Sequence, residues 1–502
     1  MNLNNLKISG DRHADADTLE RFSRDMSIYR IVPAVVVEPK NEADVLSTLR
    51  FARNEGLSIV SRSGGSDLSG ASIGPGIVLN FKKYFNRIVA IGEEEIIVQP
   101  GMILDHFVKR IAEHHLMLPA VPSSSAICAL GGNVGTRATG PRTARYGTLD
   151  NFVISLRFVT AAGEVVDTAQ GLPEYLESGL RRIQQSYLAD TTSRGIIDRR
   201  PYIAGGYNLK ALARYTDMTQ LAAHLLVGSV GTLGIVTEIR LKLLPKRPSM
   251  GTFVAHFRDT AEFAEAAMRL KALDPAALEY SDAACAGHVN GEILNLQDPS
   301  IVGTVVAEFD ASTEQARDGR AIVEAYDVSR IWDIGSGSPE EAALWQDRRR
   351  IQPALMKYGR ENNLLFPSII DDVAIHLEDF GRVIPELQAL MQRLGVEICF
   401  YGHLGFGSIH ARPFFDATAG NLAEQIETVS KESFKVLQKY NGTLVGEHNA
   451  GRSRSIYLEM ELGPAFRYLR EIKKLFDPDD ILNPGVVFDT EPISRHMDFT
   501  FR

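Results

Sequence analysis

Ser63-Gly64-Gly65-Ser66-Asp67-Leu68-Ser69-Gly70 follows, after Ser61-Arg62, on the apolar stretch Leu57-Ser58-Ile59-Val60. A strand that runs into successive glycines can turn several backbone N–H groups inward, which makes a nest for oxyanions. The spacing Gly65-x4-Gly70 invites comparison with a P-loop, but Ala71 stands where that motif needs Lys, and the NTPase reading fails. No Gly-x-Gly-x-x-Gly follows a strand and opens a helix, so a Rossmann dinucleotide site is unsupported. Two more glycine-rich stretches lie further on, Gly131-Gly132-Asn133 and Gly228 to Gly234. Three such stretches point to an extended ligand whose diphosphate and rings meet the backbone closely.

The surrounding pattern alternates strands and helices. Ala34 to Val37 reads as a strand closed by Pro39. Asn41, with Asp44 at the third helical position, opens an amphipathic helix that ends at Gly56. Strands are expected at Leu57–Val60, Ile77–Asn80, Ile88–Ile91 and Glu95–Gln99, then a turn at Pro100-Gly101 and a helix from Met102 to His114. Residues 126–147, rich in Gly, Thr and small side chains, read as a long functional loop. Phe152 to Val166 reads as a hairpin around Ala162-Gly163, and residues 169–213 as a polar insertion. A boundary falls at Leu241 to Pro248. Beyond it, Phe253–Phe257, a helix over Ala261–Leu273 and Val302–Phe309 begin a second α+β region. A last helix is expected from Phe466, before the turn Asp477 to Gly485.

The chain has 502 residues, a formal charge of −9 and 44% hydrophobic residues, a composition of two or three soluble domains. The acidic balance argues against nucleic acid as partner. Cys128, Cys285 and Cys399 are too scattered for an iron–sulfur cluster or a disulfide framework. No stretch approaches the roughly 18 apolar residues of a membrane span. The expected location is the cytoplasm, with peripheral attachment to the inner membrane left open, and a homodimer is compatible with the sequence.

A second constellation lies in Gly402-His403-Leu404-Gly405-Phe406-Gly407-Ser408-Ile409-His410 and Gly446-Glu447-His448. His403, His410 and Glu447 form a three-ligand set for a divalent metal (Zn, Mn or Fe) that leaves positions open for a bound molecule. Such a set equally suits a hydrolase zinc site or an iron oxygenase triad. Adjacent residues on an extended backbone point to opposite sides, so Glu447 is expected to face the metal and His448 the substrate, as its base.

With these stretches in view, the chain resembles the flavoproteins of the vanillyl-alcohol oxidase and p-cresol methylhydroxylase superfamily, in the D-lactate, glycolate and D-2-hydroxyglutarate dehydrogenase branch. The resemblance runs from Tyr29-Arg30-Ile31-Val32-Pro33 to Asn483-Pro484-Gly485. It implies an α+β fold: a two-lobed FAD-binding domain of the p-cresol methylhydroxylase type, a substrate (cap) domain on an antiparallel sheet, and a C-terminal segment returning to the FAD domain. The corresponding ranges are an extension at 1–28, then 29–246, 247–455 and 456–502. It implies that FAD lies with its diphosphate on Arg62, Ser63, Gly64, Gly65, Ser66, Asp67 and Leu68. Pro122, Ser123, Gly131, Gly132, Gly135, Thr136, Gly228, Gly234, Ile235 and Asn483 would complete the cofactor site. Ser66 stands where some relatives attach FAD through His, so binding should be non-covalent. Val230 replaces the Glu of many relatives.

The resemblance also implies oxidation of a D-2-hydroxy acid to the 2-oxo acid. His403, His410 and Glu447 would hold the metal, His448 would take the hydroxyl proton, and flavin N5 would take the hydride. Arg348 matches an arginine that relatives place on the substrate carboxylate. Gln352 stands where some hydroxyglutarate enzymes have Thr, and Ile370-Asp371 where they carry Lys. Arg412, Arg452 or Arg454 would have to substitute for that Lys, and Asn449 alters the pocket floor. The electron acceptor stays open among a quinone, an electron-transfer flavoprotein and a cytochrome. An oxygen-using oxidase and a non-catalytic flavin subunit are the rival functions.

Overall fold

A computed structural model of the protein describes residues 2–202, 205–289, 291, 294, 298, 300–489 and 491–500. Three sheets position everything that follows. The first has the order Asp11–His13, Val35–Glu38, Ile77–Asn80, Ile59–Arg62, and its last three strands are parallel. Parallel strands need a crossover, and the helix Glu42–Glu55 makes it from Val35–Glu38 to Ile59–Arg62, with Ile77–Asn80 inserted between them. Its ends are those the sequence specifies. Asn41 accepts from the Asp44 N–H, and Gly56 closes the helix in the left-handed region at φ 67°.

The second sheet is antiparallel, in the order Ile88–Ile91, Glu95–Val98, Ile235–Lys242, Val153–Val159, Val165–Asp167. The expected hairpin is its edge, with Gly163 at φ 85° in the turn. The third sheet has eight strands, all paired antiparallel, and runs from Val328–Ile334 at one edge through Gly251–Phe257 and Ser408–Asp416 to Leu364–Leu365. The α+β architecture is as the sequence implies.

Two stretches differ from the sequence reading. Residues 126–147 hold the helices Leu130–Thr136 and Thr143–Tyr146 rather than a plain loop. Leu130 and Val134, four apart, are buried and anchor the first helix. A side chain at Gly131 would strike Pro100, so that glycine allows close packing rather than an open loop. The polar insertion holds the helices Glu174–Ala189, Thr191–Asp198 and Leu209–Arg214. Leu176, Leu180, Ile183 and Tyr187 make one buried face beneath a polar surface.

The C-terminal segment returns to the first two sheets. Leu482 bridges Ile59, and the buried Lys473 Nζ donates to the carbonyls of Thr232 (3.0 Å) and Leu482 (2.9 Å). Asn483 Nδ2 donates to Ala71 O (2.9 Å) and Val230 O (2.8 Å). The third sheet is tied to the helix Thr143–Tyr146 by ion pairs from Arg142 to the buried Glu308 and from Arg145 to Asp310.

Candidate functional site

The strand Ile59–Arg62 delivers the chain into Ser63–Gly70 at the carboxyl end of the parallel sheet, where open α/β sheets bind ligands. Gly65 (φ 70°) and Gly70 (φ 77°) take the left-handed turns there. Asp67 Oδ1 accepts from the N–H groups of Ser69 and Ala71 and fixes the far side of the loop. Among the described residues, the N–H groups of Gly64, Gly65, Ser66 and Leu68 have no acceptor within the protein. That is the donor set a diphosphate requires.

The histidines stand on the third sheet. Strands Glu397–His403 and Ser408–Asp416 are joined by a tight turn in which Gly407 has φ 79°, and any side chain there would meet Ile375 O. Tyr401 lies opposite His410, so Tyr401, His403 and His410 share one face. On the next strand the pairing Tyr280–Gly402 brings Glu279 alongside His403, and Glu279 Oε1 is 2.7 Å from His403 Nδ1. His410 Nδ1 is 3.4 Å from Asp371. With both Nδ1 atoms turned to buried carboxylates, both Nε2 atoms turn to Glu447, at 3.6 Å from His403 and 2.9 Å from His410. Carboxylate-backed imidazoles around a third carboxylate are the arrangement a metal-ligand set shows. Thr139 donates to the second Glu447 oxygen.

Glu447 and His448 do not alternate sides. The backbone bends through residues 446–448, and Asp372 accepts both of their N–H groups, at 2.6 and 2.5 Å. His448 Nε2 consequently lies 3.5 Å from Glu447 Oε1, and its ring stacks on His410 with centroids 5.2 Å apart. His448 Nδ1 is 3.1 Å from Asp371 Oδ2. Since a carboxylate can only accept, Nδ1 carries the proton, and in the neutral ring Nε2 keeps its lone pair.

Charge is concentrated here. Burial works against the Glu447 carboxylate, but His403, His410 and His448 outweigh it and hold its pKa well below the usual range. Burial likewise opposes the charged His410, yet Glu447 and Asp371 push it up to about 9. His448 is raised too, because Asp372, Asp371 and Glu447 together exceed the desolvation. Asp371 is lowered despite burial, chiefly by Arg412.

One cavity joins the two constellations. Its lining runs from Arg62–Leu68 through Pro122, Ser123, Gly131, Gly132, Gly135, Thr136 and Gly234 to Arg348, Gln352, His403, His410, Glu447 and His448. Seven of the sequence candidates do not line it. Gly228 O accepts from Asn449 Nδ2, which ties those two to each other, and Ile235 is buried in the core. Asn483 lies behind, on the carbonyls of Ala71 and Val230. Arg412 is occupied by Asp371, Ser368 and Gln352. Arg452 and Arg454, the other stand-ins for the missing Lys, are spent on backbone carbonyls and on Asp372 with Asn449 O. A side chain at Gly234 would meet Phe158, so that glycine answers to packing. Reading from sequence missed Glu279, Asp371, Asp372 and Thr139. The signal was there for the acids: Ile369-Ile370-Asp371-Asp372-Val373 and Ala277-Leu278-Glu279-Tyr280 place carboxylates inside apolar strands.

Residues 33–169 match the family model for an FAD binding domain, and residues 246–487 match that for the C-terminal domain of FAD linked oxidases. The chain belongs to the FAD-linked oxidoreductases. Glycolate oxidase subunit GlcD of Bacillus subtilis is 28% identical over 98% of this chain and 97% of its own length. D-2-hydroxyglutarate dehydrogenase of Escherichia coli is 27% identical over 95% of this chain, which spans only 50% of that longer protein. Among solved structures, 4-ethylphenol oxidase from Gulosibacter chungangensis superposes with a TM-score of 0.69, at 16% identity, over 94% of this chain and 93% of its own. The fold is thus the FAD-oxidase fold implied by the sequence, with an FAD-binding domain ahead of the antiparallel cap.

Proposed function

We propose that this FAD-linked oxidoreductase is a dehydrogenase of D-2-hydroxy acids, of the lactate, glycolate or 2-hydroxyglutarate type, which it converts to 2-oxo acids with the help of a divalent cation. The observation that carries the reading is the single cavity that has the glycine-loop N–H groups at one end and His403, His410, Glu447 and His448 at the other. The two relatives named for glycolate and D-2-hydroxyglutarate support the substrate class. Residues 29–246 would hold FAD non-covalently, 247–455 the substrate, and 456–502 pack back, in a cytoplasmic protein.

The residues divide the work. Ser63 to Leu68 bind the diphosphate, and His403, His410 and Glu447 hold the cation, with Zn, Mn and Fe all suited to this donor set. Bound FAD supplies a two-electron acceptor for the C2 hydride, and the cation a Lewis acid for the substrate hydroxyl. Arg348 binds the carboxylate of the 2-hydroxy acid: it lines the cavity, and among the described residues its Nη2 has no acceptor. His448 Nε2 takes the hydroxyl proton. Asp371, 3.1 Å from Nδ1, holds the ring in that tautomer and stabilises it once protonated. Glu279 sets His403 and Arg348 together, at 2.7 and 2.6 Å.

The test is anaerobic. D-lactate, glycolate, D-2-hydroxyglutarate and longer D-2-hydroxy acids are mixed with the purified yellow protein, and flavin absorbance is followed. One or more should bleach it, with slow return in air, and His448→Gln should keep the colour while bleaching slows about 10²–10⁴-fold. No bleaching by any of them refutes the substrate class, and rapid reoxidation by oxygen refutes the dehydrogenase assignment.

A further inference from the structure

Three buried arginines surround the histidine end of the cavity, and each faces a carboxylate of its own. Arg348 pairs with Glu279 at 2.6 Å, Arg412 with Asp371 at 2.5 Å, and Arg454 with Asp372. All six side chains are at least nine-tenths buried. The three pairs cancel. Among the described residues Glu447 is the remaining carboxylate lining that end, and with the imidazoles neutral, as metal ligands and a base require, a divalent cation held beside it leaves one unit of positive charge. Two other arginines line the cavity among the described residues. Arg62 is at the glycine-loop end, donating to Arg24 O and Ser72 O, and Arg349 is exposed at the mouth.

The next group along the wall is neutral. Gln352, one helical turn beyond Arg348, accepts at Oε1 from both Tyr401 Oη (2.8 Å) and Arg412 Nη2 (2.6 Å). That double donation fixes the amide orientation and leaves its NH2 group for the cavity, an uncharged donor.

We propose that the substrate of this site is a 2-hydroxy monocarboxylate, so that among the acids considered above the dicarboxylic one is discriminated against; this rests on the 2-hydroxy-acid reading. One carboxylate completes the charge balance. A second would enter the enclosed end with a neutral amide for company, and a buried unpaired charge is strongly unfavourable. The exposed Arg349 offsets little, because solvent screens it.

The test compares acids of equal chain length. The oxidised, FAD- and metal-loaded protein is titrated anaerobically with 2-oxopentanoate and with 2-oxoglutarate, and dissociation constants are read from the flavin spectrum. In parallel, kcat/KM is measured for D-2-hydroxypentanoate and D-2-hydroxyglutarate with a dye acceptor. The monocarboxylate should win by about 100-fold or more in both comparisons. Equal or tighter binding of 2-oxoglutarate, with turnover to match, overturns the proposal while leaving the hydroxy-acid reading intact. Failure of both acids to bind, with no bleaching by any D-2-hydroxy acid, overturns both.

Discussion

Glu279→Gln removes one charge and no volume from beneath the proposed metal site. Glu279 is buried and gives one oxygen to His403 Nδ1 (2.7 Å) and the other to Arg348 Nε (2.6 Å). Glutamine can serve only one of these donors, since its NH2 group would confront the other. Two consequences can be sized. Arg348 loses its buried counterion, and breaking such a pair costs about 3–5 kcal/mol of stability. His403 loses the acceptor that aims Nε2 at Glu447, and mutation of such a supporting carboxylate typically weakens metal binding about 10–100-fold. The assay is titration of chelator-treated protein with Zn or Mn against a competing chromophoric chelator, wild type beside variant, with urea unfolding in parallel. Glu279 does not line the cavity, so the flavin spectrum should stay unchanged. Wild-type metal affinity in a folded variant would refute the inference that Glu279 orients His403 as a ligand.

Two further outcomes follow from the fold. Val230 has φ 46°, a conformation hard for a β-branched residue, beside the cofactor cavity. Relief of about 1–3 kcal/mol of strain is outweighed by the entropy cost of glycine, about 1 kcal/mol, and the lost burial of a core side chain, about 1.5–3 kcal/mol, so Val230→Gly should lower stability by about 1 kcal/mol with FAD retained; a raised melting temperature would contradict this. The buried Asp282 accepts the N–H groups of Cys285 (2.7 Å) and Phe400 (2.9 Å), and burial raises its pKa from 3.8 to about 7. Its folded form thus keeps a proton that the unfolded chain releases. The stabilisation is full below about pH 4 and lost as pH rises through 7, a drop of about 4 kcal/mol. The difference between wild type and Asp282→Asn in unfolding free energy from pH 4 to 8 should carry that slope, and a flat difference would refute it.

Much of this was legible in the residues. Asn41, Asp44 and Gly56 announce a helix by local chemistry, and Ile88–Ile91 announces a strand. The three glycine stretches and the His403–His410 hairpin report what approaches the backbone. Other features were not local. Leu176, Leu180, Ile183 and Tyr187 form a helix face that a polar composition hides. The side of the chain to which Glu447 points depends on Asp372, which draws both following N–H groups onto one carboxylate and bends the backbone. Arg412 and Asn449 could pass for substrate ligands until their partners Asp371 and Gly228 O, remote in sequence, were in place. Buried acids in apolar strands were the neglected clue.

The proposed convergence of three metal ligands and a proton-accepting histidine on the flavin is tested most directly by metal removal. FAD-replete protein is stripped with a chelator and mixed anaerobically with the D-2-hydroxy acid that bleaches the untreated sample. Bleaching should fall at least about 100-fold and return on adding Zn, Mn or Fe, while the flavin stays bound. Undiminished bleaching of metal-free protein would contradict the central assignment of His403, His410 and Glu447.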